Sequence, residues 1–259
     1  MTLDAETRAH WEVSGWVRLR AAVEPATIDD LRVAVDELTA WAGNDGPGLH
    51  HFEQTDHGPR IARSEHFADV HPMLGRFVRG PLIGDVLTEL FGEPAVLFKE
   101  KVNYKHPGGG GFAPHQDAAA YRFVDHHISV MVPLDPATVA NGCLWFATER
   151  QPAPIPADDR GRVPAELVEQ LTWRPVPARP GDLVIFDSYA PHYSETNTTR
   201  QPRRALYLTY NAASRGDFRR RYYEDKVAEF EREGDSFGNA RVRISVSDDF
   251  LGKPVSPPR

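Results

Sequence analysis

Past Gly92, Glu93 and Pro94 the chain becomes a succession of short apolar stretches punctuated by proline and glycine, and no other feature limits its fold as tightly. The stretches are AVLFKEKVNYK (95–105), HHISVMVPL (126–134), CLWFA (143–147), DLVIFD (182–187) and RRALYLTYN (203–211). Short strands set apart by turn formers predict a β-sandwich or barrel.

The segment before this run has a different period. Asp4 to Glu12 and Pro25 to Trp41 read as helices; in the second, Ile28, Leu31, Val35 and Leu38 recur at helical steps and Pro25 sits in the first turn. Residues 73–91 are helical again, with a break at Gly80–Pro81. Between them, GNDGPGLHHFEQTDHGPR (43–60) reads as a long loop and a candidate lid. Prolines at 152, 154, 156, 164, 175, 177 and 180 make 151–180 an irregular insertion between strands. The expectation is one mainly β domain with flanking helices over 1–259: helices over about 1–92, a β core over about 93–215 and a C-terminal extension over about 216–259. With 41% hydrophobic residues in 259, such a chain can bury one substantial core.

A net charge of −7 argues against nucleic acid and anionic membrane surfaces as partners, and the locally basic RGDFRRRYY (215–223) reads as a solvated helix face. No apolar run approaches the ~18 residues of a membrane span. A single cysteine, Cys143, excludes an internal disulfide, and MTLDAETRAHWEV lacks a basic segment followed by an apolar one. A cytoplasmic protein with no obligate protein partner is expected.

The chemistry begins at GFAPHQDAAAY (111–121). His115 and Asp117, two apart on an extended backbone, point to one side, so one metal ion can touch both. A third ligand must come from elsewhere, and His192, after the strand at 182–187 and an Ala-Pro turn, is the best placed. Two imidazoles and a carboxylate on one face of an octahedral ion leave three positions open, the arrangement of non-haem iron(II) oxygenases. Eleven residues past His192, Arg203 and Arg204 enter a strand on opposite faces. One of them points inward, where an unpartnered charge would cost several kcal/mol, so an anionic ligand is implied. On 95–105 one face carries Leu97, Lys99, Lys101 and Asn103, a polar face that fits either solvent or a ligand.

These motifs together resemble the phytanoyl-CoA dioxygenase-like Fe(II)/2-oxoglutarate oxygenases. The resemblance runs from VSGWVRLRAAVEPATIDDLRVAVDEL (13–38) through HQD and NGCL (141–144) to GDLVIFDSYAPHYSETN and the arginine strand. It implies a double-stranded β-helix (jelly-roll, cupin-like) core with His115, Asp117 and His192 as the iron ligands. It also implies 2-oxoglutarate held by Arg203 and Ser194, with Lys99 and Asn103 at the positions where relatives place amides, and dioxygen as the second cosubstrate. The polar strand face then looks at ligand. An aspartate at 117 argues for hydroxylation over halogenation, since halogenating relatives lack that carboxylate.

Two departures bear on the substrate: Lys99 replaces an amide, and ATERQPAP follows NGCLWF where relatives carry a Pro-Gly-Ser-His type turn. Lys101, Gln116 and Tyr121 are candidate substrate contacts. Lys99, Lys101, His50, His51 and His57 could bind an anionic group such as a carboxylate or phosphonate, although the histidines individually read as surface residues. The glycines at 108–111 read as a tight turn beside the metal, and Cys143 as a small buried residue. The expected reaction is hydroxylation of an unactivated C–H bond of a small polar metabolite, with succinate and carbon dioxide as co-products. Desaturation or ring closure by the same chemistry, a zinc hydrolase or isomerase on the same three ligands, and a non-catalytic binding protein are the alternatives.

Overall fold

Asp4 caps the first helix by accepting from the Thr7 amide at 2.7 Å, and Gly15 ends it in a left-handed turn (φ 71°) that only glycine adopts without strain. The computed structural model describes residues 2–44, 46–55, 58–120, 126–158, 161–232 and 242–244. In chain order these form α1 (Ala5–Ser14), β1 (Trp16–Leu19), α2 (Pro25–Gly43), β2 (Leu49–Thr55), β3 (Gly58–Glu65), α3 (Pro72–Val78), α4 (Pro81–Phe91), β4 (Ala95–Lys105) and β5 (Phe112–His115). There follow β6 (Ile128–Pro133), β7 (Leu144–Ala147), α5 (Ala165–Gln170), β8 (Trp173–Val176), β9 (Leu183–Asp187), β10 (His192–Ser194), β11 (Arg203–Ala212), α6 (Arg219–Arg232) and β12 (Val242–Ile244).

The strands make two sheets: a large one in the order β1-β9-β6-β11-β4-β3-β2-β12 and a small one in the order β5-β10-β7-β8. Period-two alternation divides the large sheet between two cores. Val130, Val132, Ile185, Leu206 and Leu208 pack with Leu31, Val35 and Leu38 of α2 and with α4. Their neighbours Met131, Val184, Phe186 and Ala205 pack with Leu144 and Phe146 of the small sheet. The second core occupies the space between sheets, as in a jelly roll, and near the site its lining turns polar.

The predicted helices and the break at Gly80–Pro81 are present, as are the five strands. The reading of 1–92 as helices alone is corrected, because β1 and the β2–β3 hairpin lie within it. So is the reading of 43–60 as a loop. Leu49–Thr55 is the seventh strand of the large sheet, paired with β3 on one side and β12 on the other. This segment is too firmly hydrogen-bonded to be a hinged lid. His50 and His51, read as surface residues, are buried: the His50 ring pairs with Ser64 (3.0 Å) and the His51 ring with Glu65 (3.0 Å). His57 lies outside the described residues. The basic run is corrected as well: Arg219 is buried in an ion pair with Glu100 and reaches Asp69 at 2.9 Å. No described helix is long and apolar enough to cross a membrane.

Candidate metal and cosubstrate site

Short strands and tight turns deliver the three predicted ligands to one point. β5 ends on His115, and a 3-10 turn starting at Asp117 swings the carboxylate back beside it. β10 carries His192 in direct register with His115. One nitrogen or oxygen from each residue lies within 4.8 Å of the other two. Asp117 Oδ1 stands 3.8 Å from His115 Nε2 and 3.9 Å from His192 Nε2, beyond hydrogen-bond range but within the span of two metal–ligand bonds of ~2.0–2.2 Å.

The surroundings prepare these atoms for a cation. His115 Nδ1 donates to the Ala113 carbonyl (2.7 Å) and His192 Nδ1 to the Ala190 carbonyl (3.0 Å). A carbonyl only accepts, so each ring carries its proton on Nδ1 and presents the Nε2 lone pair inward. Burial lowers both imidazole pKa values, keeping the rings neutral. Burial opposes ionisation of Asp117 too, yet its carboxyl is held below its ordinary value, and with the rings neutral the cations that act on it are Lys101 and Lys99. Ser129 Oγ donates to Asp117 Oδ2 at 3.0 Å and lies 3.2 Å from Thr209 Oγ1, which turns Oδ1 toward the histidines. Two neutral imidazoles and an oriented carboxylate fit iron(II) and leave room for further ligands.

Beside the triad lies a cavity lined by Lys101, Asn103, Ser129, Ser194, Tyr207 and Thr209 among others. The space is narrow, so its occupants must be small. At one end Lys105 Nζ donates to Ser194 Oγ (2.9 Å) and to the Glu195 carbonyl, and Arg203 Nη2 donates to the Gly142 carbonyl (3.0 Å). The Arg203 Nε is buried and has no partner among the described residues. Glycine at 142, the second residue of NGCL, is what lets this end close. A Cβ there would come within 2.6 Å of Lys105 Nζ and 2.1 Å of the Glu195 carbonyl, and its φ of +74° disfavours a side chain in any case.

The inward-facing arginine is therefore Arg203, 3% exposed and, like Lys105, behind the lining of the cavity rather than in it, while Arg204 lies outside and pairs with Asp135 (2.9 Å) and Asp36 (2.7 Å). Ser194 and Asn103 line the cavity, and the Asn103 Oδ1 is buried without a described partner. Lys99 is buried but falls outside the cavity lining, with Nζ 5.7 Å from the Tyr222 ring centre. Gln116 is corrected: it faces away from the triad, accepting from the Ile155 amide and donating to the Tyr189 carbonyl, both at 2.6 Å, so it braces the 153–155 segment. Adjacent residues on an extended chain point oppositely, and Gln116 sits between two inward ligands. Tyr121 lies outside the described residues. Sequence reading missed Lys105, although it continues the alternation of Lys99, Lys101 and Asn103, and it missed Ser129, Arg63 and Tyr207.

The sequence profile of the phytanoyl-CoA dioxygenase family matches residues 11–205. A methylphosphonate hydroxylase from Gimesia maris is 44% identical over 98% of this chain and 98% of that protein. A 2-aminoethylphosphonate dioxygenase from an uncultured bacterium is 38% identical over 96% of this chain and 97% of that protein. Among solved structures, EctD from S. alaskensis with 2-oxoglutarate and 5-hydroxyectoine superposes with a TM-score of 0.70 at 23% identity, covering 82% of this chain and 77% of that one. The α-ketoglutarate dependent epimerase SnoN superposes at 0.68 and 20% identity, covering 80% and 82%.

Proposed function

The chain belongs to the phytanoyl-CoA dioxygenase family and is a 2-oxoglutarate-dependent non-haem iron dioxygenase, and from that premise we propose that it hydroxylates the carbon bonded to phosphorus in a small alkylphosphonate. The observation that carries this reading is the near full-length, 44% match to a methylphosphonate hydroxylase. The cavity supports it: it is small and is lined by the half-buried Lys101, which suits a compact dianion.

In this reading His115, Asp117 and His192 hold iron(II), and Arg203, Lys105 and Ser194 receive the distal carboxylate of 2-oxoglutarate, with Asn103 alongside. When bound, iron and 2-oxoglutarate supply the oxidation. One dioxygen atom enters the substrate C–H bond as C–OH, the other enters the new carboxylate of succinate, and C1 of 2-oxoglutarate leaves as carbon dioxide. The protein's part is to orient. Ser129 fixes the Asp117 carboxylate, the two backbone carbonyls fix the imidazoles, and Phe112, Leu144, Phe186 and Tyr207 screen the reacting carbon from bulk water. A one-carbon phosphonate has no neighbouring carbon to desaturate or cyclise onto, so for methylphosphonate hydroxylation is the outcome the substrate allows. The lone, buried, unbridged Cys143 supports a cytoplasmic setting. Stimulation of succinate release by one- to three-carbon phosphonates tests the reading, and no stimulation by any of them refutes it.

A further inference from the structure

The inner face of the large sheet carries more positive charge than 2-oxoglutarate can answer. Register partners share a face, and β3, β4 and β11 bring together Arg63 with Asn103 and Ala205, Glu65 with Lys101 and Tyr207, and Lys99 with Thr209. With Lys105 and Arg203 this makes five cations on or beside one lined space, against the carboxylates of Glu65 and Asp117.

The cations fall into two groups. Arg203 is the neighbouring charge that acts most on Lys105, and the pair closes the Ser194 end. Arg63 and then Lys99 act most on Lys101, whose own charge is felt by His115, Asp117 and His192. Asn103 stands between the groups, in register with Arg63. A dicarboxylate whose distal end lies at Arg203 and Lys105, and whose other end binds the metal, leaves Lys101 unanswered.

Neither carboxylate nearby can answer it. Asp117 is committed to the metal position. Glu65, 1% exposed, lies 3.0 Å from the His51 ring and accepts from Arg63 at 3.3 Å. Lys101 itself makes no hydrogen bond or ion pair with any described residue; its ammonium lies 5.5 Å from the Tyr207 ring centre. An ammonium held this way beside the triad is stabilised by an anion.

We propose that Lys101, backed by Arg63, forms the subsite for the phosphonate dianion, and that the site takes phosphonates bearing no cationic group. The proposal rests on the phosphonate reading above. A phosphonate oxygen on Lys101 Nζ sets the attached carbon toward the triad, because Lys101 lines the same cavity as His115, Asp117 and His192. An ammonium on the substrate would enter a cluster of like charges whose described carboxylates are both engaged, and like charges repel strongly where water is excluded.

The test is calorimetric titration of phosphonates, without oxygen, into protein loaded with iron(II) and 2-oxoglutarate. Lys101→Met should weaken methylphosphonate binding about thirtyfold or more, the scale of one lost charge-assisted contact, while 2-oxoglutarate affinity measured alone stays within about twofold. Lys101→Arg should recover part of the loss. Wild-type protein should bind propylphosphonate at least about tenfold more tightly than 2-aminoethylphosphonate, which has the same shape with an ammonium in place of a methyl. Unchanged methylphosphonate binding in Lys101→Met, or a loss confined to 2-oxoglutarate, overturns the subsite alone. Tighter binding of the amino compound overturns the charge rule. Wild-type protein that binds no phosphonate overturns the functional reading itself, and the subsite with it.

Discussion

His115 and His192 are direct partners in the β5–β10 ladder, with ring centroids 4.3 Å apart. Backbone pairing sets their separation. Phe146 and Phe186 press on the His192 ring from the inter-sheet core at 5.5 and 4.8 Å, tying the ligand to packing.

His115→Ala and His192→Ala should each abolish stoichiometric iron(II) binding at micromolar metal, because two remaining ligands hold the ion poorly against water. Ser129→Ala should bind iron about 10–100-fold more weakly with the triad intact, the usual cost of losing a group that orients a ligand. Anaerobic metal titration distinguishes the three variants. Wild-type affinity in both histidine variants contradicts the ligand assignment.

Arg203→Ala should raise the KM for 2-oxoglutarate about a hundredfold or more, since it removes a buried partner of a carboxylate. Arg204→Ala should leave that constant within a few fold. Its ion pairs with Asp135 and Asp36 are partly exposed, so the cost falls on stability, at about 1 kcal/mol or less. Steady-state kinetics and thermal melting separate the two effects.

Burial and the Arg203 charge push Lys105 down to about 7 in the protein without cosubstrate. A bound carboxylate raises that pKa, so the contribution of Lys105 to 2-oxoglutarate affinity is complete below pH 7. It is lost as pH rises through the free-state value toward the bound one. Affinity measured from pH 6 to pH 9 should therefore fall, and Lys105→Arg, which stays charged, should flatten the profile. An equally steep fall in Lys105→Arg assigns the titration to another group.

Much of this was legible because alternation and ligand type are local signals. His115 and Asp117 stand close together by spacing, while spacing shows only that one of Arg203 and Arg204 points inward and the family resemblance picks Arg203. The β2–β3 hairpin was not legible. Its inward residues, His51, Arg63 and Glu65, are polar and contact one another in the interior, so they imitate the composition of a surface loop. Lys105 was missed for a related reason: a cation at the end of a strand looks solvated until the glycine at 142 is seen to make room for it beside Ser194. Gln116 failed in the opposite sense, since its place between two ligands drew attention that its outward direction does not merit.

Arg219→Ala should destabilise the fold by about 3–5 kcal/mol, because it strands the fully buried Glu100 without its cation. Glu100 also accepts from the amides of Phe67 and Ala68, at 2.9 and 2.8 Å, so the loss should loosen α6 and the turn after β3 together. Denaturant unfolding measures it, and a change below about 1 kcal/mol would show that solvent reaches Glu100.

The central claim is that this chain inserts oxygen at the carbon of a phosphonate, at the expense of 2-oxoglutarate. Turnover of methylphosphonate under ¹⁸O₂, followed by phosphorus NMR and mass spectrometry, tests it most directly. The account predicts hydroxymethylphosphonate carrying one ¹⁸O atom, formed in equal amount with succinate, and none from the Arg203→Ala or His192→Ala proteins at wild-type cosubstrate concentrations. Succinate released with methylphosphonate recovered unchanged, or a hydroxylated product whose oxygen comes from water, would contradict it.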